Sequence, residues 1–363
     1  MVSGTNRKNF LASTAGSVAL TTLLHPAQAV AAPMMAGPAL PPQDERADAD
    51  MQRVLEQLAA FHAPPVATVT PRIARDLPSF ADALQAALSA QGKPCVESVA
   101  KVSHKVIQGP GGPLLLRIYT PDGNAPFPIA LYYHGGGFVI ANLDTYDASP
   151  RALANRAGAV IVSVAYRQAP EHPFPAAAED AFAAYQWVLA NAASIGGDPR
   201  RIAVTGESAG GNLATVVALQ ARDHNVKLPV HQLLIYPVTN FVKGAPPPSY
   251  RENLKTIPLA TPALAWFGRY YLSNPSQAAN PLASPLHAKL TGLPPATIIN
   301  ADLDPLRDDG AMYAGTLRAA GVRVKRTLYT GVTHEFFGMG AQVAKARAAM
   351  REGAAALRAS FRA

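Results

Sequence analysis

The 363-residue chain is 49% hydrophobic and 15% charged, which supplies enough apolar material for a sizeable core and for one large domain or two small ones. Its formal net charge is +8, but the sequence has no dense Lys/Arg run and no interleaving of basic with aromatic residues, so we expect no nucleic-acid partner. The single cysteine, Cys95, excludes an intrachain disulfide.

Residues 1–29 have the organisation of a signal peptide. Arg7 and Lys8 form a short positive region, and the uncharged stretch 10–24 follows it. Ala27-Gln28-Ala29 then supplies the small-x-small pattern that precedes cleavage. The uncharged stretch is too short and too polar for a membrane span. We therefore expect an exported protein, periplasmic or secreted, without a stable membrane anchor.

The export route stays open. Residues 6–11 (Asn-Arg-Lys-Asn-Phe-Leu) resemble a twin-arginine export signal in which Lys8 replaces the second arginine. A linker rich in proline and alanine, residues 30–43, follows the predicted signal peptide.

The rest of the chain begins with two predicted amphipathic helices and then alternates strands with helices. Such alternation predicts an α/β protein with a mostly parallel sheet covered by helices on both faces. Strands buried on both faces need no alternation of polar and apolar residues, and several of these runs show none. Helices are predicted over residues 44–60, 77–90, 176–193, 209–222 and 341–360, and strands over 113–119, 127–133, 159–165, 202–205, 233–236, 296–300 and 322–329.

A glycine-flanked serine lies between the strand 202–205 and the helix 209–222. The segment Gly206-Glu207-Ser208-Ala209-Gly210 fits the G-x-S-x-G pattern in the strand–turn–helix context that gives this pattern meaning. The glycines permit a tight turn, and the start of the helix offers free backbone N–H groups that favour negative charge. An ordinary glycine-rich turn is the alternative, and the pentapeptide alone does not decide between them.

Three consecutive glycines follow the strand 127–133, in the segment His134–Phe138. Glycines let backbone N–H groups turn inward and donate to a developing oxyanion. A phosphate-binding loop is disfavoured, because the segment lacks the following Lys-Ser/Thr and the G-x-G-x-x-G spacing. The sequence therefore predicts an oxyanion hole formed from Gly135, Gly136 and Gly137 together with the N–H of Ala209.

Carboxylates and a histidine follow two later strands. Four aspartates occur within residues 302–309, and spacing alone does not choose which of them would orient a histidine. His334 follows the last predicted strand and is the natural general base near neutral pH, although a surface histidine is the ordinary alternative. The order Ser, Asp, His after successive strands favours a catalytic triad. We expect no metal and no cofactor, because no metal-ligand spacing is present.

These segments together closely resemble the hormone-sensitive-lipase-like esterases, often called bacterial family IV, over about residues 110–340. The resemblance implies the α/β-hydrolase fold, with Ser208 as nucleophile, Asp304 as the orienting carboxylate and His334 as base. Which two of the three glycines donate to the oxyanion stays open, and Gly136 and Gly137 are the preferred pair. The matching runs are 134–139, 166–176, 206–212 and 304–308.

The resemblance also implies a helical cap over the site, formed by residues 44–95 and an insertion at 240–278, with the hydrolase core in 96–239 and 279–363. Glu335 stands where the family usually has a small residue, and Glu207 varies within the family, so either would tune access or the local field. Glu171 and His172 are expected to be structural. Aromatic residues of the insertion would line the pocket or form the core of the cap: Tyr250, Trp266, Phe267, Tyr270 and Tyr271.

The sequence therefore predicts a serine carboxylesterase that hydrolyses short- to medium-chain esters, with a small-molecule ester as its partner. Two alternatives stay open. One is a non-catalytic small-molecule receptor, since the plant gibberellin receptor resembles this family but lacks the catalytic histidine. The other is a deacetylase, lactonase or amidase with the same triad. The natural substrate, stereochemical preference and oligomeric state are not predicted, and a homodimer is one of the open assemblies.

Overall fold

The computed structural model describes residues 44–89 and 91–363. The predicted signal peptide (1–29) and linker (30–43) lie outside the described residues. In the described part of the chain, no helix has both the length and the apolarity needed to cross a membrane.

The described residues build one eight-stranded sheet. Its strand order is β1-β2-β4-β3-β5-β6-β7-β8. The pairs β1–β2 and β2–β4 are antiparallel, and the five remaining pairs are parallel. The predicted fold class is thus confirmed. The strands are β1 Lys101–Gly109, β2 Gly112–Thr120, β3 Phe127–Tyr133, β4 Val160–Val164, β5 Gly197–Glu207, β6 Gln232–Ile235, β7 Ala296–Leu303 and β8 Val324–Thr333.

Helices cover both faces of this sheet. On β3, Ile129 and Leu131 belong to one hydrophobic cluster and Ala130 and Tyr132 to the other, as the alternation of side chains along a strand requires. The ten described α-helices are α1 Ala49–Ala60, α2 Pro71–Arg75, α3 Phe80–Ser89, α4 Ala148–Ala157, α5 Ala176–Asn191, α6 Ala209–Asp223, α7 Pro248–Glu252, α8 Thr261–Tyr271, α9 Arg307–Ala319 and α10 Ala344–Ser360. The first cluster includes residues of α5, α6, α8 and α9, and the second includes residues of α1, α3, α4 and α10.

The strand β1 lies outside the elements predicted from the sequence, and so do the helices α2, α4, α7, α8 and α9. Most side chains of β1 are exposed or half-buried, including Val106, so the strand has no apolar alternation to detect. It forms because it pairs with β2 along its whole length, from Lys101 opposite Thr120 to Gly109 opposite Gly112. Tertiary pairing, rather than local pattern, defines this edge of the sheet.

The first predicted helix begins later than expected. It was predicted from residue 44, but α1 begins at Ala49. The Asp44 carboxylate accepts hydrogen bonds from both the backbone N–H and the guanidinium of Arg46, which holds this segment in a turn.

The two segments predicted as a cap contain α1–α3 and α7–α8, and they contact each other. The indole Nε1 of Trp266 on α8 donates to the carbonyl oxygen of Val69, at 2.9 Å. Tyr271, at the end of α8, stacks on Phe138 beside the glycine loop, with ring centroids 3.8 Å apart. The helix α8 is therefore fixed both to the N-terminal segment and to the core.

Candidate active site

The predicted site segments meet at one edge of the sheet because they follow neighbouring parallel strands. Tyr133, the last residue of β3, is paired with Gly206 near the end of β5. Leu303, the last residue of β7, is paired with Thr333 at the end of β8. The next residues along the chain are the glycine loop, the serine turn, Asp304 and His334. Carboxyl ends of parallel strands are where ligands bind in such sheets.

Ser208 occupies a strained turn between β5 and α6. Its φ of 56° and ψ of −117° are unusual for a residue with a side chain, a conformation that costs about 1–3 kcal/mol. A Cβ at Gly210 would overlap the carbonyl oxygen of Tyr133, so only glycine fits there. The Ser208 N–H donates to the carbonyl of Ile235 at 2.9 Å, which fixes the turn against β6. The turn thus presents the serine side chain to the cavity, whose lining includes Ser208.

His334 and Asp304 form a buried hydrogen-bonded pair. His334 Nδ1 lies 2.7 Å from Asp304 Oδ2, and both side chains are almost completely buried. The Asp304 carboxylate also accepts from the N–H of Leu306 at 2.8 Å, which fixes its orientation. With Nδ1–H donating to the carboxylate, Nε2 is the nitrogen left free to act as a base. Burial by itself would lower the pKa of His334, but the charge and the hydrogen bond of Asp304 outweigh it and raise that pKa.

The glycine loop places two of its three glycines at the cavity. Gly136 and Gly137, both with positive φ, line the same cavity as Ser208 and His334. The carbonyl of Gly136 accepts from the N–H groups of Val139 and Ile140, which closes the loop into a turn.

Gly135 and Ala209, the other two predicted oxyanion residues, lie beside this loop. The Gly135 carbonyl accepts from the hydroxyl of Tyr166, at 3.2 Å, and a Cβ at Gly135 would overlap the hydroxyl of Tyr146. Gly135 is thus enclosed by tyrosines. Ala209 is the first residue of α6, where backbone N–H groups have no partner within the helix. Its N–H is therefore suited to an oxyanion beside Ser208.

The cavity above these groups is large and mainly apolar, with a volume of about 1610 Å³. The Phe267 ring lies so close to Gly137 that a Cβ on that glycine would overlap it. The aromatic residues of the insertion divide between the two expected roles. Tyr250 and Phe267 line the cavity. Trp266 and Tyr271 are buried against other aromatic rings, and Tyr270 packs edge-on against Trp266.

Two buried glutamates, Glu207 and Glu335, lie near His334. The carboxylate of Glu207 accepts from the hydroxyls of Tyr132, at 2.6 Å, and Tyr236. Glu335 Oε1 accepts from the hydroxyl of Tyr146 at 2.6 Å. Burial raises the pKa of both carboxyls, that of Glu335 to about 7. The sequence drew attention to the two glutamates, but nothing local indicated the three tyrosines, which come from separate parts of the chain.

The other aspartates of the 302–309 segment have structural contacts. Asp302 and Asp308 pair with Arg307, at 3.5 and 3.0 Å. Asp308 and Asp309 lie in the first turn of α9, but neither side chain caps this helix. The Asp308 carboxylate accepts from the backbone N–H of Ser249, and Asp309 Oδ2 accepts from the Tyr250 hydroxyl at 3.2 Å. Both aspartates thus join α9 to the segment predicted as the cap insertion.

The motif 166–176 contacts the predicted cap. Glu171 forms an ion pair with Arg75 of α2 at 2.6 Å, and Arg75 also donates to the carbonyls of Val139 and Ala169. These contacts link α2 to the loop that follows the glycines. Among residues 44–89 and 91–363, no group of three or more His, Cys, Asp or Glu side chains is arranged to hold a metal ion.

A serine in a strained strand–helix turn, a buried His–Asp pair and a glycine loop at one edge of a mostly parallel sheet define a serine hydrolase of the α/β-hydrolase type. Residues 130–338 match the family model described as alpha/beta hydrolase fold, and the chain belongs to this family. The resemblance drawn from the sequence motifs is thereby confirmed.

Several of the named relatives are esterases or ester hydrolases. The chain is 44% identical to Esterase LipI of Mycobacterium tuberculosis over 266 residues, which cover 71% of this chain and 82% of that protein. It is 37% identical to an ethyl acetate hydrolase of Pseudomonas putida over 241 residues, covering 65% of this chain and 75% of the relative. Among solved structures, an esterase of Pyrobaculum calidifontis superposes with a TM-score of 0.78 at 40% identity, covering 86% of this chain and 98% of the other.

Proposed function

We propose that this protein is a serine carboxylesterase that hydrolyses short- to medium-chain carboxylic esters through an acyl-enzyme. The observation that carries the proposal is the buried pair of His334 and Asp304, 2.7 Å apart, beside the cavity that also contains Ser208 in its strained turn. The esterase relatives support the same reaction class.

The reaction proceeds in two steps. His334 Nε2 takes the Ser208 proton while the serine oxygen attacks the ester carbonyl carbon. The resulting oxyanion accepts from the N–H of Ala209 and from N–H groups of the glycine loop. When the tetrahedral intermediate collapses, the bond to the alcohol oxygen breaks and His334 returns its proton to that oxygen. Water then attacks the acyl-enzyme by the same route, which releases the acid and restores Ser208.

The cavity as a whole is large, but its apolar lining favours apolar esters and an aromatic wall bounds it beside the glycine loop. Its lining is mainly aliphatic and aromatic, which favours alkyl groups over charged ones. Phe267 lies directly over Gly137, so the space beside the glycine loop is bounded by an aromatic wall. A small or medium acyl group fits beside such a wall more readily than a long one.

The test is hydrolysis of p-nitrophenyl esters from acetyl to palmitoyl, with Ser208→Ala measured in parallel. We expect turnover to peak at short acyl chains, and kcat to fall by about 10⁴-fold or more in the variant because the nucleophile is lost. A folded protein with no turnover at any chain length would overturn the esterase proposal. A strong rise in rate on emulsified long-chain esters would overturn the length preference.

The alternatives make different predictions in matched assays. An amidase would cleave an amide about as well as the ester of the same acyl group, whereas an esterase would strongly prefer the ester. A receptor would bind a ligand without turnover, and it would have no use for the intact pair of His334 and Asp304. Size-exclusion chromatography with light scattering distinguishes a monomer from a homodimer.

We also propose export to the periplasm or the medium, without a stable membrane anchor. Support comes from the sequence of residues 1–29 alone, with its positive region, its uncharged stretch and its small-x-small site. Cell fractionation of the full chain and of a chain that begins at residue 30 tests this. Equal distribution of the two forms would contradict the proposal.

A further inference from the structure

A second carboxyl group lies beside the catalytic histidine. Asp304 is hydrogen-bonded to His334 Nδ1, whereas Glu335 Oε1 lies 3.7 Å from Nε2, the nitrogen that must exchange protons with Ser208. Glu335 also contributes to the lining of the cavity that contains Ser208. The imidazole is thus placed between two carboxyl groups, and only one of them belongs to the triad.

The position of Glu335 is maintained at a cost. Its φ of 70° is in the left-handed region, which a residue with a side chain adopts at an expense of about 1 kcal/mol or more. Its Oε2 atom is buried and has no hydrogen-bond partner among the described residues. Burial of an unpartnered carboxyl oxygen is unfavourable. A glycine would satisfy the backbone and remove the buried charge, so local stability does not explain a glutamate at this position.

Two carboxyl groups besides Glu335 act to raise the pKa of His334. Asp304 approaches from the segment between β7 and α9, and Glu207 from the end of β5. Tyrosine hydroxyls complete the cluster and are neutral donors, because burial raises their pKa values well above 10. His134, near Tyr146, is neutral because burial lowers its pKa to about 4. Tyr146 donates a hydrogen bond to Glu335, and Tyr132 and Tyr236 donate to Glu207. The ring centroid of Tyr236 lies 4.5 Å from that of His334.

We propose that Glu335 is a positioning residue that stabilises the imidazolium form of His334 from the Nε2 side during acyl transfer. This inference rests on the proposed esterase chemistry. When His334 takes the Ser208 proton, Nε2 carries that proton 3.7 Å from a carboxyl oxygen held in place by Tyr146. Attraction between the imidazolium and the carboxylate strengthens His334 as a base. The proton then passes to the departing alcohol, so Glu335 neither gains nor loses a proton over the catalytic cycle.

The raised pKa of Glu335, about 7, supports this role because its charge develops in the neutral range. A neighbouring imidazolium favours the ionised carboxyl, so the two charges appear together. At acid pH the carboxyl is neutral and contributes less to the basicity of the histidine.

The test is the pH profile of kcat/KM for p-nitrophenyl butyrate in the wild-type protein and in Glu335→Gln. Glutamine keeps the size and the oxygen that accepts from Tyr146, but it carries no charge. Removing a negative charge lowers the pKa of His334, so the acid limb moves to lower pH, by about one unit. The plateau kcat falls about tenfold, because a weaker base transfers the proton less readily. A merely structural role would lower kcat without moving the limb.

Two further variants make the result specific. Glu335→Gly suits the backbone at this position, and we expect it to reproduce the shifted limb. Glu207→Gln is the matched control, the same change at the other buried carboxyl, and we expect a smaller shift. An unmoved limb in both Glu335 variants, with hydrolysis still dependent on Ser208, overturns the inference and leaves the esterase intact. Equal shifts in Glu335→Gln and Glu207→Gln also overturn it, because the pKa of His334 would then respond to any buried carboxyl nearby and not to the position of Glu335.

A second measurement does not depend on turnover. NMR titration of the histidine-labelled full chain, with the His334 signal assigned by its loss in His334→Asn, gives the pKa of the imidazole directly. A value lower by about one unit in Glu335→Gln supports the inference. An unchanged value overturns it, even if the wild-type protein hydrolyses no ester and the proposed function fails.

Discussion

The site has a polar floor and an apolar roof, and the two are held in different ways. The roof consists of the cavity-lining residues of segments 58–82 and 240–279, which are mainly aliphatic and aromatic. Packing holds most of the roof, and the floor depends on paired charges and hydrogen bonds. The floor comprises Asp304, His334, Glu207, Glu335, Tyr132, Tyr146 and Tyr236.

This difference separates two kinds of effect. Hydrogen bonds among buried groups are directional, so a change of one floor atom leaves its partner unsatisfied or wrongly oriented. Apolar packing is less directional and tolerates substitutions of similar volume. Changes in the floor should therefore alter the rate of the chemistry, and changes in the roof should alter which ester fits.

Among changes to the floor, the largest effect is expected from Asp304→Asn. The amide keeps the shape, but it no longer stabilises the imidazolium and does not select the tautomer in which Nε2 is free. We expect kcat for p-nitrophenyl butyrate to fall by about 10³- to 10⁴-fold. Asp302→Asn is the matched control, because Asp302 is two residues away and pairs with Arg307 near the surface. Similar losses in both variants would contradict the assignment of Asp304.

The floor also shows where sequence reasoning succeeds. The motif around Ser208, the glycine loop and His334 each follow a strand, and the order of strands in the sheet brings them to one edge. Local pattern and general topology are sufficient for that conclusion. Selecting Asp304 from four aspartates needed the family resemblance, because the turn after β7 decides which carboxylate reaches His334, and spacing does not contain that information.

Other features depend on contacts between distant residues. Tyr132, Tyr146 and Tyr236 meet the two glutamates although 104 positions separate the first from the last in the sequence. The edge strand β1 is mostly exposed and is defined by its pairing with β2. Neither the contacts of these tyrosines nor the strand β1 has a local signal in the sequence, so only the folded structure shows them.

An intermediate effect is expected where the floor meets the roof, at Asp309. This carboxyl is buried, accepts from Tyr250 of α7, and has its pKa raised by burial to about 7. Since its ordinary pKa is 3.8, the folded state keeps a proton that the unfolded state loses between about pH 4 and 7. Stability from this group is therefore full at low pH and declines as the pH rises to about 7, by up to a few kcal/mol.

Asp309→Asn should remove this pH dependence. Relative to wild type, the variant should become progressively more stable as the pH rises from 4.5 to 8, as measured by urea unfolding. Asp308→Asn is the control, because the pKa of Asp308 is shifted in the opposite direction. Burial would raise the pKa of Asp308, but the Ser249 N–H and Arg307 hold it below its ordinary value. Stability from Asp308 is lost only at acid pH, so its difference from wild type should stay nearly constant over this range. Parallel curves for Asp309→Asn and wild type would contradict the prediction.

The smallest effect is expected in the roof, from Phe267→Leu. Leucine is smaller and lacks the flat ring that lies over Gly137, so the space beside the glycine loop should widen. We expect the ratio of kcat/KM for the decanoyl ester to that for the butyryl ester to rise by about threefold to tenfold. The floor is untouched, so kcat for the butyryl ester should change little.

Trp266→Phe is the control for Phe267→Leu. Trp266 is the neighbour of Phe267 on α8, and its indole bonds to Val69 instead of lining the cavity. Its loss should cost stability of about 1 kcal/mol without altering chain-length preference. If Phe267→Leu lowered kcat for every ester equally, or if Trp266→Phe changed the preference as much, the roof would act on the chemistry through the fold of α8. The conclusion that the floor determines the rate and the roof determines which ester fits would then be wrong.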